Sequence, residues 1–162
     1  MKSAPQNCYD KHKMKLHKLH STKTIDFYTA STETVLGIPL MEEGISAGFP
    51  SPAEDFIEGS IDLNQELIQH PSATFYGRVN GNSMKDLGIH HGDLLIIDKS
   101  LSPANGKVAV CYIDGEFTLK TIKIEKECCW LVPANDDYQP IKVTESNEFM
   151  VWGVVLHVIK SF

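Results

Sequence analysis

The pattern of apolar and polar positions changes twice along the chain. Residues 1–23 show neither a helical nor an alternating apolar period, and their lysine and histidine content predicts a disordered, solvated tail. Residues 24–50 carry Ile25, Phe27, Tyr28, Val35, Leu36, Ile38 and Leu40 without a regular period. They predict an extended arm laid on something, ending in the small-residue joint GISAGFPSP. A helix start follows, with Ser51 as N-cap, Pro52 at the first helical position and Glu54 reaching back. A second short helix is capped by Asp62, aligns Leu63 with Leu67 on one face, and stops at Pro71. Strand-like runs then cover 73–79, 94–98, 107–113, 116–124, 130–132 and 150–159, and Asp114-Gly115 is a strong signal for a two-residue hairpin. The expected architecture is mainly β: a domain over 51–162 with two short helices and an extended N-terminal arm.

Composition narrows what such a domain can do. A chain of 162 residues with 42% hydrophobic content builds one cored domain. Net charge is −6, divided into about +5 over residues 1–23 and −11 over the remainder, and Arg78 is the only arginine. An acidic body is poorly suited to gripping duplex DNA, which needs clustered Lys and Arg on the phosphates. Cys8, Cys111, Cys128 and Cys129 include no Cys-x-x-Cys pair and read as reduced thiols. His90-His91 with Asp93 reads as a polar turn, not a metal site, and no cofactor is called for. The longest apolar stretch, 149–159, is roughly half of what a membrane helix needs. The N-terminus lacks the apolar core of a signal peptide, so a cytoplasmic protein is expected.

The chemistry is sought at Ser83, placed by GRVNGNSMKDLGIHHGDLLIID in a turn between two apolar runs. One reading is a turn residue whose hydroxyl bonds a nearby backbone group. The other is a nucleophile, which requires a base. The histidines offer no carboxylate at a telling spacing, whereas a lysine can serve if burial keeps it neutral. Counting outward from Asp114-Gly115 sets Ile113 opposite Glu116 and Ala109 opposite Lys120. Alternation then puts Lys120 on one face with Ala109, Cys111, Ile113, Ile122 and Ile124. The competing reading leaves Lys120 on the solvent edge of the strand, with a bulge near Thr121 resetting the phase.

The GNSM turn, the GDLLIID strand after it, and DGEFTLK with its lysine 37 residues beyond the serine resemble the LexA/UmuD family of self-cleaving serine–lysine proteases, peptidase S24. AGFPSPAEDFIEGSIDLNQELIQHPSATFYGRVNGNSM and VWGVVLHVIKSF fit as well, so the resemblance runs from about residue 34 to 162. It is nearest to the branch that serves SOS mutagenesis after DNA damage. The resemblance implies a LexA/signal-peptidase-like fold, Ser83 as nucleophile and Lys120 as general base. It also implies backbone N–H groups of Asn82 and Ser83 as oxyanion donors, and a scissile bond at Ala47–Gly48. Alanine stands there where that branch carries cysteine. Asn82 precedes the serine where many relatives carry an acid or another residue. Implied partners are a second copy of the chain in a homodimer, RecA filaments on single-stranded DNA, and a UmuC-like Y-family polymerase for translesion synthesis. Residues 1–23 extend beyond the usual arm.

Two other functions fit the pattern less well. A LexA-like or phage-type repressor needs a helix-turn-helix, and 47 mostly non-periodic residues are too few for one with its supporting helices. A signal peptidase uses similar chemistry but needs a membrane anchor.

Overall fold

A computed structural model describes residues 18–29, 37–41 and 57–162. Eleven strands and one short α-helix are formed among these residues: β1 (Lys18–Ser21), β2 (Ile25–Thr29), β3 (Gly37–Met41), β4 (Ile57–Asp62), α1 (Leu63–Leu67), β5 (Thr74–Val79), β6 (Leu94–Asp98), β7 (Val108–Ile113), β8 (Glu116–Ile124), β9 (Cys129–Val132), β10 (Ile141–Val143) and β11 (Phe149–Ile159). Nine strands make one antiparallel sheet in the order β1-β2-β5-β6-β11-β7-β8-β9-β10, and β3 pairs with β4 separately.

The domain is mainly β, as its alternating runs predict. β6 and β8 take their predicted bounds, and the hairpin pairs Ala109 with Lys120 and Ile113 with Glu116. Asp114 and Gly115 both adopt positive φ (48° and 89°), which sets the strand twist a two-residue loop requires. Asp62 caps α1 by accepting from the Asn64 N–H. The helix stops earlier than Pro71 suggests: it ends at Leu67, where Ile68 turns extended, and Pro71 instead opens a 3-10 turn, Pro71–Ala73. The helix start at Ser51, Pro52 and Glu54 lies outside the described residues, as does the joint at Ala47–Gly48.

One boundary needs correction. The predicted tail runs to residue 23, yet Lys18–Ser21 form β1 against β2. All four β1 residues are exposed, so the strand carries no apolar alternation to announce it. It is held by backbone pairing and by Asp26, which accepts from Lys18 and Ser21.

The main sheet curls until strands far apart in its order touch. Phe27 of β2 meets Phe117 of β8 with ring centroids 5.0 Å apart, and meets Trp152 of β11 at 4.5 Å. Two features permit the curl. The register of β11 shifts between Val151 and Gly153 against β7, and between Val155 and His157 against β6; such irregularities bend a strand. Gly153 and Gly77 also let Ile97 lie directly on the backbone of the neighbouring strands. The concave side holds the largest core cluster, built on Ile25, Phe27, Val79, Met84, Leu95, Ile97, Val110 and Leu119. The opposite face carries a second cluster of Ala109, Cys111, Ile113, Ile122 and Leu131. This is the face on which alternation places Lys120, although Ile124, at the strand's end, is exposed.

Candidate active site

Ser83 lies in the connection between β5 and β6, where Gly81 (φ 120°) turns the chain and Met84 plugs the core beneath. A 3-10 turn, Lys85–Leu87, follows and is closed by Gly88 in the left-handed conformation. The connection is also clamped from outside. The loop after β9 supplies the Ala134 N–H to the Ser83 carbonyl (2.9 Å) and the Asn135 side-chain amide to the Asn82 carbonyl (2.9 Å). It accepts the Asp86 N–H on the Ala134 carbonyl in return (2.9 Å). The serine is therefore held above a packed core by hydrogen bonds on both sides of its own peptide units.

Lys120 reaches this turn from β8. Its side chain is buried, with the residue only 5% exposed, and Nζ lies 3.2 Å from Ser83 Oγ. Two further partners are Thr118 Oγ1 at 2.8 Å and the Leu119 carbonyl at 3.0 Å, and the Tyr138 ring lies 5.9 Å away. The described ion pairs include none to Lys120. Burial consequently pushes its pKa below the ordinary lysine value, and Cys111 opposes the shift. That opposition needs a thiolate. Burial also drives the Cys111 thiol up to about 12, so it is neutral wherever Lys120 would titrate and offers no countercharge.

This arrangement can move a proton. A neutral lysine amine has two N–H donors and one lone pair. Thr118 Oγ1 and the Leu119 carbonyl can accept the two N–H groups, which leaves the lone pair for the Ser83 hydroxyl, whose Oγ also lies 3.4 Å from the Leu119 carbonyl. Across the turn, the amides of Asn82 and Ser83 have no acceptor among the described residues. The structure thus brings together Ser83, Lys120 and the Asn82 backbone. Ala47 and Gly48 lie outside the described residues.

Two contributors were not predicted from sequence. Thr118 could have been found, because it lies two residues before Lys120 on the same strand and so shares its face. Asn135, in the loop PANDDY, gives no signal of its own. His90 and Asp93 form the expected polar turn, with the His90 N–H on Asp93 Oδ2 at 2.8 Å. No cluster of three His, Cys, Asp or Glu side chains suited to a metal ion occurs among the described residues.

The Peptidase S24-like family profile matches residues 39–156, a span that includes both Ser83 and Lys120. The chain belongs to this family. Protein MucA of Salmonella typhimurium is 39% identical over 132 residues, covering 81% of this chain and 90% of that protein. Protein SamA of the same species (strain LT2) is 40% identical over 123 residues, 76% of this chain and 87% of the relative. A LexA repressor from Colwellia psychrerythraea is 38% identical over 126 residues, 77% of this chain but only 59% of the repressor. This S24-like chain therefore shares nearly the whole length of the UmuD-like relatives and a little over half of the repressor. No described helix is long and apolar enough to cross a membrane, and the longest apolar stretch is β11 of the sheet.

Proposed function

We propose that the chain is a cytoplasmic, self-cleaving serine endopeptidase of the bacterial SOS response, with Ser83 as nucleophile, Lys120 as general base and Ala47–Gly48 as the bond cut. The observation that carries this reading is the 3.2 Å approach of a buried lysine, without a carboxylate partner among the described residues, to the hydroxyl of a serine on a clamped turn. A lysine so placed is poised to be neutral without help from a histidine.

The reaction follows from that geometry. Lys120 takes the Ser83 proton as Oγ bonds the Ala47 carbonyl carbon. The developing oxyanion is held by the backbone N–H groups of Asn82 and Ser83. As the bond to Gly48 breaks, Lys120 returns the proton to the leaving amine, giving an Ala47 ester on Ser83. Water, giving a proton to Lys120, then hydrolyses the ester and restores the serine. The substrate is the chain's own segment, or that of a partner copy, so tethering replaces a substrate pocket.

RecA filaments on single-stranded DNA stimulate the cut in this reading. The processed homodimer then serves as accessory subunit to a UmuC-like polymerase in translesion synthesis. The match over most of the length of MucA (90%) and SamA (87%) supports this role. The test is denaturing mass spectrometry before and after incubation with RecA filaments. Two products, 1–47 and 48–162, are expected from the wild type and none from Ser83→Ala. A boundary elsewhere with Ala47–Gly48 intact overturns the site assignment.

A further inference from the structure

We infer that Asn135 is a positioning residue for oxyanion stabilisation: its side-chain amide fixes the one peptide unit whose N–H belongs to Ser83. The inference rests on the serine–lysine reading above and adds to it a residue outside the dyad and outside the turn. Asn135 is 5% exposed, and its Nδ2 donates to the Asn82 carbonyl at 2.9 Å from 53 residues away. Its Oδ1 accepts the Asp137 N–H at 3.0 Å, which locks the side chain against rotation.

The Asn82 carbonyl and the Ser83 N–H are two ends of a single planar trans peptide, so they point in opposite directions. A donor anchored on the carbonyl therefore dictates where the N–H points. Here it aims the Ser83 N–H away from the 134–135 loop. It also polarises the peptide, because a hydrogen bond accepted at the carbonyl strengthens the N–H as a donor. The neighbouring peptide is fixed in the same way, by the Ala134 N–H on the Ser83 carbonyl. That second clamp is backbone and has no dependence on side-chain identity. Of the two clamps, Asn135 is therefore the one through which side-chain identity controls the orientation of the turn. A burial requirement alone does not explain asparagine, since an apolar residue would fill the space without bringing two polar atoms that each need a partner.

The test separates this role from that of the base. Self-cleavage of the full chain is followed against pH for wild type, Asn135→Ala and Asn135→Asp, with thermal melting of each. The aspartate variant keeps the shape and the acceptor for Asp137 but, when ionised, cannot donate to Asn82. It stands in should the alanine variant not fold. The plateau rate at alkaline pH, where Lys120 is fully neutral, should fall about tenfold to a hundredfold in both. For Asn135→Ala the midpoint of the pH profile should stay at the wild-type value, since no charge near Lys120 changes. A plateau within twofold of wild type in a folded variant, or a loss in Asn135→Ala accounted for wholly by a shifted midpoint, overturns the inference. If the wild type itself shows no Ser83-dependent cleavage, the dyad reading falls first and takes this one with it.

Discussion

Replacing Gly77 with alanine would set a methyl carbon 2.7 Å from Ile97 Cδ1 and 3.1 Å from Ile25 Cγ2, both on fully buried side chains. Replacing Gly153 would set one 2.6 Å from Ile97 Cγ2 and 3.2 Å from the Asp98 carbonyl oxygen. Relaxed carbon contacts lie at about 3.5–4.0 Å, so in each case Ile97 must retreat by roughly 1 Å. The two retreats differ in difficulty. Cδ1 ends a rotatable bond and can swing, whereas Cγ2 is fixed to the branched Cβ, and the carbonyl behind Gly153 belongs to the sheet itself. Overpacking costs about 1–3 kcal/mol, so Gly77→Ala should fall near 1 and Gly153→Ala near 3. Ile97→Val removes Cδ1 and keeps Cγ2, at about 0.5–1.5 kcal/mol alone. It should therefore partly relieve Gly77→Ala, with a coupling of about 0.5–1 kcal/mol, and leave Gly153→Ala unrelieved. Urea unfolding followed by Trp152 fluorescence in a Ser83→Ala background measures both cycles. Equal coupling in the two, or a Gly77→Ala variant as stable as its parent, would refute the account of how the sheet curls around Ile97.

The pH dependence of the site follows from the depressed pKa of Lys120. Self-cleavage without RecA should rise with pH until Lys120 is neutral, and Lys120→Ala should abolish it; a flat rate from pH 7 to 10 would remove lysine as the base. The unfolded chain holds the lysine proton up to about pH 10.4 while the folded chain gives it up earlier, so stability rises with pH across that window. In a Ser83→Ala background, Lys120→Met should melt above its parent at neutral pH, with the gap closing toward pH 10. The cysteines should separate by reactivity: Cys128 and Cys129 should react with a thiol reagent in the native state, while Cys111, fully buried and raised to about 12, should react only on unfolding.

The register and face of Lys120 were legible because β structure repeats every two residues, while the roles of Ser83 and Lys120 came from the family resemblance. Once Asp114-Gly115 fixed the turn, counting along two strands placed Lys120 opposite Ala109 on an apolar face, and no long-range information was needed. The same period failed where strands carry little apolar alternation. β1 is wholly exposed, β4 contains Gly59 and Ser60, and β10 has three residues, so pairing with a neighbour defines each of them. Asn135 was beyond reach for another reason. Its partner is a backbone carbonyl 53 residues away, and a backbone acceptor leaves no trace in the sequence.

The placement of β2 bears on what a cut at Ala47–Gly48 would produce. Ile25 and Phe27 precede that bond, yet they lie in the main core at 0% and 2% exposure, and β2 pairs along the whole of Thr29–Ile25 with β5. Hydrolysis there would nick the domain without by itself freeing the amino-terminal piece, which would persist as a non-covalent subunit of the same sheet. Its retention would then depend on concentration and competition, no longer on connectivity. When it left, β5 would become an open edge, with unpaired backbone groups facing outward and an apolar cleft beside Phe117 and Trp152. The strand pair would thus act as a stopper that proteolysis loosens and a competing strand could displace.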